Sequence, residues 1–394
     1  MNGAMRALVL DAVWEPRSGY PLSPQETESR KAIRASAVWK SPSLQLIESP
    51  IPRIKDDEVL IRVKACGVCG SDTHCYETDA AGYVLFSGSA KLPVTLGHEY
   101  SGEVVEVGKN VGSLKVGDAV AAESMVWCGL CASCRAGNPN QCRRIEMVGF
   151  SVPGAFAEYI AVQEKYCWSL DPLREAFPSG EDAYEVGALI EPIGCAYNGI
   201  FVSGGGFRPG AYVAVHGAGP IGLAAVLLAR AAGAAKIFAF DPSEPRKALA
   251  LALGADDAAS PLALRRQGTS PGEMIRDSTG GHGADLQVEA AGAASATLPE
   301  IEKSLAPNGK VIYLGRHDAG APFPLDTLVS QANQICGARG HSGHGIYPSV
   351  IRLLASGRFP ARPMITARFP LEKAVEAVQR STERTDGKII VRLA

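Results

Sequence analysis

At 394 residues the chain has room for two or three domains and a large hydrophobic core, which excludes a small disulfide-stapled scaffold. Its 39 lysines and arginines against 41 aspartates and glutamates leave no global field to gather nucleic acid or an anionic membrane, so the expected partner is a small molecule. Ten cysteines, four of them crowded between Cys128 and Cys142, fit metal coordination in a reducing cytoplasm better than a disulfide framework.

The opening MNGAMRALVLDAVWEP lacks the apolar run and small-residue cleavage site of a secretory signal. The best candidate for a membrane span, around 221–235, is short and flanked by glycines, so no insertion is expected. Residues 6–13 and 35–47 read as strands separated by a polar connection, 18–31. Residues 59–65 (VLIRVKA) alternate as a half-buried strand and deliver the chain into ACGVCGSDTHCY, 65–76, where Cys69, Ser71, Asp72 and His74 crowd together. Taken alone, the Cys66-x-x-Cys69 pair is open to three readings: half a structural zinc site, a redox dithiol, or two buried thiols. In 92–106 (LPVTLGHEYSGEVVE) His98 and Glu99 lie in a turn and the next strand begins at Glu103. A thiolate, an imidazole and a carboxylate suit a catalytic zinc, which keeps one position open.

The segment CGLCASCRAGNPNQC places Cys128, Cys131, Cys134 and Cys142 in C-x2-C-x2-C-x7-C spacing, so four thiolates can converge from one loop. Such a site has no open position and reads as a structural zinc pinning a lobe over 127–143. Residues 149–162 return to strand-like alternation, and acidic, turn-rich residues 171–185 lead to ALIEPIGCAY. There Glu191 sits among apolar residues, a costly place for a carboxylate unless it is paired or metal-bound. It either starts a helix or supplies an acidic ligand.

From 211 the character changes. The run AYVAVHGAGPIGLAAVLLARAAGAAKIFAFD gives a buried strand, a glycine turn, an alanine- and leucine-rich helix and a second buried strand ending at Asp241. This is the βαβ context that makes G-x-G-x-x-G a dinucleotide fingerprint. Gly217 allows the tight turn, Gly219 a close approach of the pyrophosphate, and Gly222 close packing of helix on strand. Pro220 and Ile221 open a helix whose first N–H groups face the phosphates. Asp241 can accept both ribose hydroxyls and would repel the extra phosphate of NADP. Arg246, the one basic group nearby, reads as lying along the adenosine, so NAD is expected. Further apolar strands at 284–290, 310–314 and 334–338, separated by helix-like segments such as 297–305, complete a doubly wound parallel sheet. Leu314, Gly315 and Arg316, at a strand's C-terminal end, should line the nicotinamide side. The loop GHSGHGIY offers His341 and His344 to substrate or cofactor, and two amphipathic helices, 347–355 and 371–380, precede a closing strand at 388–393.

A nicotinamide site together with a zinc that keeps an open position defines hydride transfer between an alcohol and a carbonyl. Ser71 and His74, two and five positions after Cys69, suit a proton relay, and Asp72 suits support of an imidazole ligand.

The succession GVCGSD, GHEYSG, the four-cysteine lobe, the EP segment and GAGPIG with its downstream acid resembles the zinc-dependent medium-chain dehydrogenase/reductase superfamily, in particular its sorbitol-dehydrogenase-like polyol branch. The resemblance covers essentially the whole chain. It implies an α/β protein with a GroES-like β-rich catalytic domain over 1–193, a doubly wound Rossmann NAD-binding domain over 194–341, a return to the catalytic domain over 342–394, and a homodimer or homotetramer. Residue by residue, it implies that Cys69 and His98 bind catalytic zinc, while Glu99 and Glu191 share the remaining acidic role. It also implies Ser71 and His74 as relay, and Cys128, Cys131, Cys134 and Cys142 on a structural zinc, hence two zinc ions per chain. A narrower likeness, carried by MRALVLDAVWEP, AVWKSPSLQLIESPIPRI, YVLFSG and GHSGHGIYPSVIRLLASG, points to members that oxidise a cyclic polyol of the inositol or keto-inositol kind. It makes Glu191, His341, Ser342 and His344 candidates for the polar substrate pocket. The alternatives within the family are an aminocyclitol or sugar-derivative dehydrogenase, or a sorbitol or butanediol type. Outside it stands a non-catalytic NAD- and zinc-binding protein, against which the full set of Cys69, Ser71, His74, His98 and Glu99 argues.

Overall fold

A computed structural model describes residues 3–177, 179–316 and 320–393. The chain divides into two compact units, Met1–Glu191 with Ala367–Glu383 and Lys388–Ala394, and Pro192–Thr366 with Arg384–Gly387.

The first unit is β-rich. Strand Ala4–Trp14 pairs antiparallel with Trp39–Pro50 and, on its other edge, with Val94–Thr95. A larger sheet is built on Glu58–Val68, which pairs with Glu99–Val107, Tyr159–Gln163 and the late strand Lys388–Arg392. Leu8, Val59, Ile61, Val104, Phe156 and Val391 are buried in one continuous core. The strand Glu58–Val68 is buried along nearly its whole length, because it has neighbours on both edges and cover on both faces. This strand and Glu99–Val107 position the site: one ends immediately before Cys69, and the other begins at Glu99.

The second unit holds a six-stranded parallel sheet. In the order of appearance of its strands, Tyr212–His216, Lys236–Phe240, Asp257–Ala259, Ala284–Glu289, Leu305–Tyr313 and Gln334–Gly337, the spatial order is 3-2-1-4-5-6. That order places the reversal beside the first strand, where open α/β sheets bind ligands beyond their carboxyl ends.

Several local expectations are corrected. The polar connection 18–31 contains a short helix, Pro24–Ser29, because Ser23 and Glu26 form a reciprocal capping box. The second N-terminal strand begins at Trp39, since Ala35–Ala37 form a 3-10 turn. The acidic stretch 171–185 is helical, with helices Asp171–Ala176 and Gly180–Gly187; proline in the first turn starts one and a Ser179 cap starts the other. The chain returns to the first unit at Ala367 instead of 342, because helix Ile346–Ala355 buries Ile346, Tyr347, Val350, Ile351 and Leu354 within the second unit. Among the described residues one helical run, Gly180–Ser203, is long and apolar enough by length and composition to cross a bilayer, and it is a longer candidate than 221–235. Its apolar window is 72% buried inside the protein, as in a core helix.

Candidate active site

Cys69 caps the helix Gly70–Tyr76, and the fold joins it to a distant turn: ligand atoms of Cys69, His98 and Glu99 lie within 4.8 Å of one another. Asp72, fully buried in the first turn of that helix, ties the two segments together. Its Oδ2 accepts from the Cys69 backbone N–H at 2.9 Å, and its Oδ1 stands 3.4 Å from His98 Nδ1. An imidazole held through Nδ1 offers Nε2 to a ligand. Ser71 Oγ stands 3.4 Å from that Nε2, and His74, on the same helix, is exposed to solvent. Burial alone would lower the proton affinity of His98, but Asp72 and the Cys69 sulfur outweigh it and hold the imidazole well above its usual range.

Glu99 is 1% exposed, and its Oε2 accepts from Lys388 Nζ at 2.5 Å. Lys388 is itself fully buried and also donates to the Val68 carbonyl at 3.0 Å. Desolvation opposes the ammonium, yet Glu99 more than offsets it and keeps Lys388 above the usual lysine range. The other carboxylate oxygen, Glu99 Oε1, is buried with no hydrogen-bond partner. A buried carboxylate oxygen left open beside a thiol and an imidazole is a donor set that fits a zinc ion. Sequence reasoning missed Lys388, because 289 residues separate it from Glu99 and a lysine opening a strand carries no local signal.

Glu191 stands in helix Ile190–Tyr197, is 8% exposed, and lies outside the cluster of Cys69, His98 and Glu99. In the second unit His341 and Ser342 are fully buried, with the His341 ring 5.2 Å from Tyr347. His344 is exposed and adopts a left-handed backbone. A cysteine that the sequence reading passed over, Cys195, has its sulfur within 4.8 Å of a His341 ring nitrogen.

The four lobe sulfurs also converge. Cys131 to Cys134, Cys131 to Cys142 and Cys142 to Cys128 are 3.6, 3.9 and 3.6 Å apart. These match the ~3.8 Å edge of a tetrahedron with ~2.3 Å zinc–sulfur bonds, so this set fits a zinc ion as well. The N–H groups of Leu130 and Cys131 point at the Cys128 sulfur and pull its pKa down to about 6. The base of the lobe is tied to the core through buried Glu123, which accepts from the indoles of Trp127 and Trp168.

In the glycine turn Gly217 has φ +94°, and a Cβ there would stand 2.7 Å from the Ala291 backbone. A Cβ on Gly222 would fall 1.8 Å from the Gly217 carbonyl. Gly219 caps the helix Pro220–Ala231, with Pro220 in its first turn and Ile221 half-buried beside it. Asp241 is buried at the end of its strand and accepts from the backbone N–H groups of Ala218 and Ser243, both at 2.8 Å. These bonds fix its carboxylate beside the glycine turn. Arg246 donates to the Asp386 carbonyl at 2.9 Å and is directed toward the same turn, 3.8 Å from where a Gly219 Cβ would be. Leu314, Gly315 and Arg316 follow strand Leu305–Tyr313, and the N–H groups of Leu314 and Gly315 both reach the Glu289 carbonyl at 2.9 Å.

Residues 55–172 match the family model of the alcohol dehydrogenase GroES-like domain, and residues 220–356 that of zinc-binding dehydrogenases. A scyllo-inosose 3-dehydrogenase from Thermotoga maritima is 42% identical over 98% of this chain and 98% of that protein. An L-threonine 3-dehydrogenase from Caldanaerobacter subterraneus is 36% identical over 88% of this chain and 94% of its own length. Among solved structures, one described as an alcohol dehydrogenase from Thermotoga maritima superposes with a TM-score of 0.93 at 40% identity, covering 98% of this chain and all of that one.

Proposed function

Because the chain belongs to the zinc-dependent medium-chain alcohol dehydrogenases, we propose that it transfers a hydride between a secondary alcohol of a cyclic polyol, of the inositol or keto-inositol type, and NAD. The observation that carries the chemistry is the convergence of Cys69, His98 and Glu99 with an open, buried Glu99 oxygen. The ring substrate rests on the full-length similarity to the scyllo-inosose enzyme.

When bound, zinc would supply Lewis acidity to the alcohol oxygen and NAD the hydride acceptor. Cys69, His98 and Glu99 would hold the metal, with Asp72 orienting the imidazole and Lys388 supplying the buried partner charge of the Glu99 carboxylate. Ser71 would take the hydroxyl proton of the substrate and pass it to solvent by way of the exposed His74. In the second unit the N–H groups following Gly219 would bind the pyrophosphate, Asp241 the adenosine ribose, and Leu314, Gly315 and Arg316 the nicotinamide end. Glu191, His341 and His344 are the proposed polar contacts to substrate. Cys128, Cys131, Cys134 and Cys142 would hold the second, structural zinc.

All ten cysteines are free thiols, which favours a reducing cytoplasm as the place of action. A homo-oligomer formed along the sheet edge is part of the same reading. The outermost strand, Gln334–Gly337, exposes Ile335, and the preceding helix Leu325–Ser330 leaves Val329 82% exposed.

The test is NAD reduction over inositols, keto-inositols, aminocyclitols, sorbitol, 2,3-butanediol and L-threonine. Turnover of the cyclic polyols is expected. Turnover confined to linear alcohols or to L-threonine would sink the assignment.

A further inference from the structure

Segment 15–38, which joins strands Ala4–Trp14 and Trp39–Pro50, is laid along residues 77–92. Those residues connect the helix of Ser71 and His74 to the turn of His98. Ala32 and Ala90 exchange two backbone hydrogen bonds at 2.9 and 3.0 Å, the Ala35 N–H donates to Gly88 at 2.9 Å, and the Ser36 N–H donates to Phe86 at 2.8 Å. Ser89 Oγ adds a bond to the Ala32 carbonyl at 2.8 Å. Arg17 locks the arrangement: its Nε donates to the Ser36 carbonyl at 2.8 Å, its guanidinium pairs with Asp79, and it lies 3.9 Å over the Tyr83 ring. The strap is ordered in its own right. Buried Glu26 completes the capping box and accepts from Tyr20 and from the Ile33 N–H.

The consequence falls on Phe86. Its carbonyl is taken by the Ser36 N–H, and its N–H donates to the His74 carbonyl at 3.0 Å, so the residue is clamped between strap and relay helix. Its half-buried ring stacks on Phe150, with centroids 4.6 Å apart and planes at 16°, and the Phe150 ring lies 4.9 Å from that of His98.

We infer that segment 15–38 is a positioning element that holds Phe86 against Phe150, the ring packed on His98, and thereby sets the preference for ring-shaped over acyclic alcohols. The inference rests on the cyclic-polyol reading above. A cyclitol ring presents a flat face of C–H groups that an aromatic wall can cover, whereas an acyclic alcohol has no such face. A wall that is already immobile binds that face without the cost of ordering a loop.

The test uses the full-length, zinc-loaded enzyme and separates KM from kcat for every alcohol the wild type oxidises. Phe86→Ala is expected to raise KM for ring substrates about tenfold while changing kcat, and the KM of acyclic alcohols, by no more than about twofold. Arg17→Ala should raise ring KM about threefold and add nothing in the Phe86→Ala background, because both act through one ring. Arg17→Lys, which keeps the charge pair with Asp79, should recover part of the loss. If Arg17→Ala does not fold, Asp79→Asn carries the same expectation, since it keeps the acceptor that closes the turn to Ala81 and Tyr83. Equal losses on ring and acyclic substrates, or additive effects in the double variant, would overturn the inference alone. Wild-type turnover confined to acyclic alcohols would overturn the cyclic-polyol reading and the ring preference together.

Discussion

The lobe at Cys128, Cys131, Cys134 and Cys142 and the centre at Cys69, His98 and Glu99 are built from overlapping chemistry in opposite ways. In the lobe every sulfur comes from one loop, and the supporting donors are N–H groups a few residues away, those of Leu130, Cys131 and Arg144. At the Cys69 centre the donors come from two segments, Asp72 bridges them, and the counter-charge arrives from the strand Lys388–Arg392. The first arrangement can close before the surrounding sheet exists, whereas the second exists only once the sheet is paired. A locally complete, four-thiolate set suits a permanent structural ion. A set of three donors with one open oxygen, held by tertiary contacts, suits an ion that works.

That contrast sets the order of expected effects. Cys69→Ser should lower kcat at least about a thousandfold while leaving the unfolding midpoint nearly unchanged, with zinc content falling by one equivalent. An unchanged rate would sink the zinc mechanism. Cys128→Ser should do the reverse, removing about 3 kcal/mol or more of stability in urea melts while the folded fraction keeps its kcat. A stable Cys128→Ser protein with normal zinc content would break the structural assignment. Lys388→Met should reduce metal affinity about 10- to 100-fold in chelator competition and destabilise the protein, since it leaves Glu99 buried without its cation. Glu99→Gln with Lys388→Met should restore the stability and leave the affinity low, which separates the two roles of the pair. The smallest effect belongs to Val329→Asp, which should lower the oligomer mass in light scattering without altering kcat of the dissociated chain.

What could be read from the chain follows the same division. The four-cysteine spacing and the Gly217, Gly219 and Gly222 turn are local; the four sulfurs converge, and Gly217 and Gly222 stand where a side chain would meet neighbouring backbone. A Cβ on Gly222 would strike the Gly217 carbonyl, a clash that the spacing alone encodes. The parallel sheet was legible because its strands are short apolar runs bounded by glycine. Residues 171–185 were misread as turns: acidic residues and proline mark helix starts as readily as loops, and the burial of Glu185 against Arg368 and Arg392 becomes visible only in three dimensions. Lys388 and the strap contacts of Arg17 were beyond any local reading, because their meaning lies in partners supplied by distant segments.

The strand Lys388–Arg392 lies inside the large sheet of the first unit, paired with Glu58–Val68, and carries the cation that Glu99 needs. During synthesis that strand leaves the ribosome after every strand of the parallel sheet has been made. The nucleotide-binding unit can therefore assemble on the nascent chain, while the catalytic unit must wait with a gap in its sheet and an uncompensated carboxylate. Completion of the catalytic centre thus follows synthesis of the whole parallel sheet, and chains that stop short of Lys388 are expected to hold a folded parallel sheet together with an unfinished metal centre.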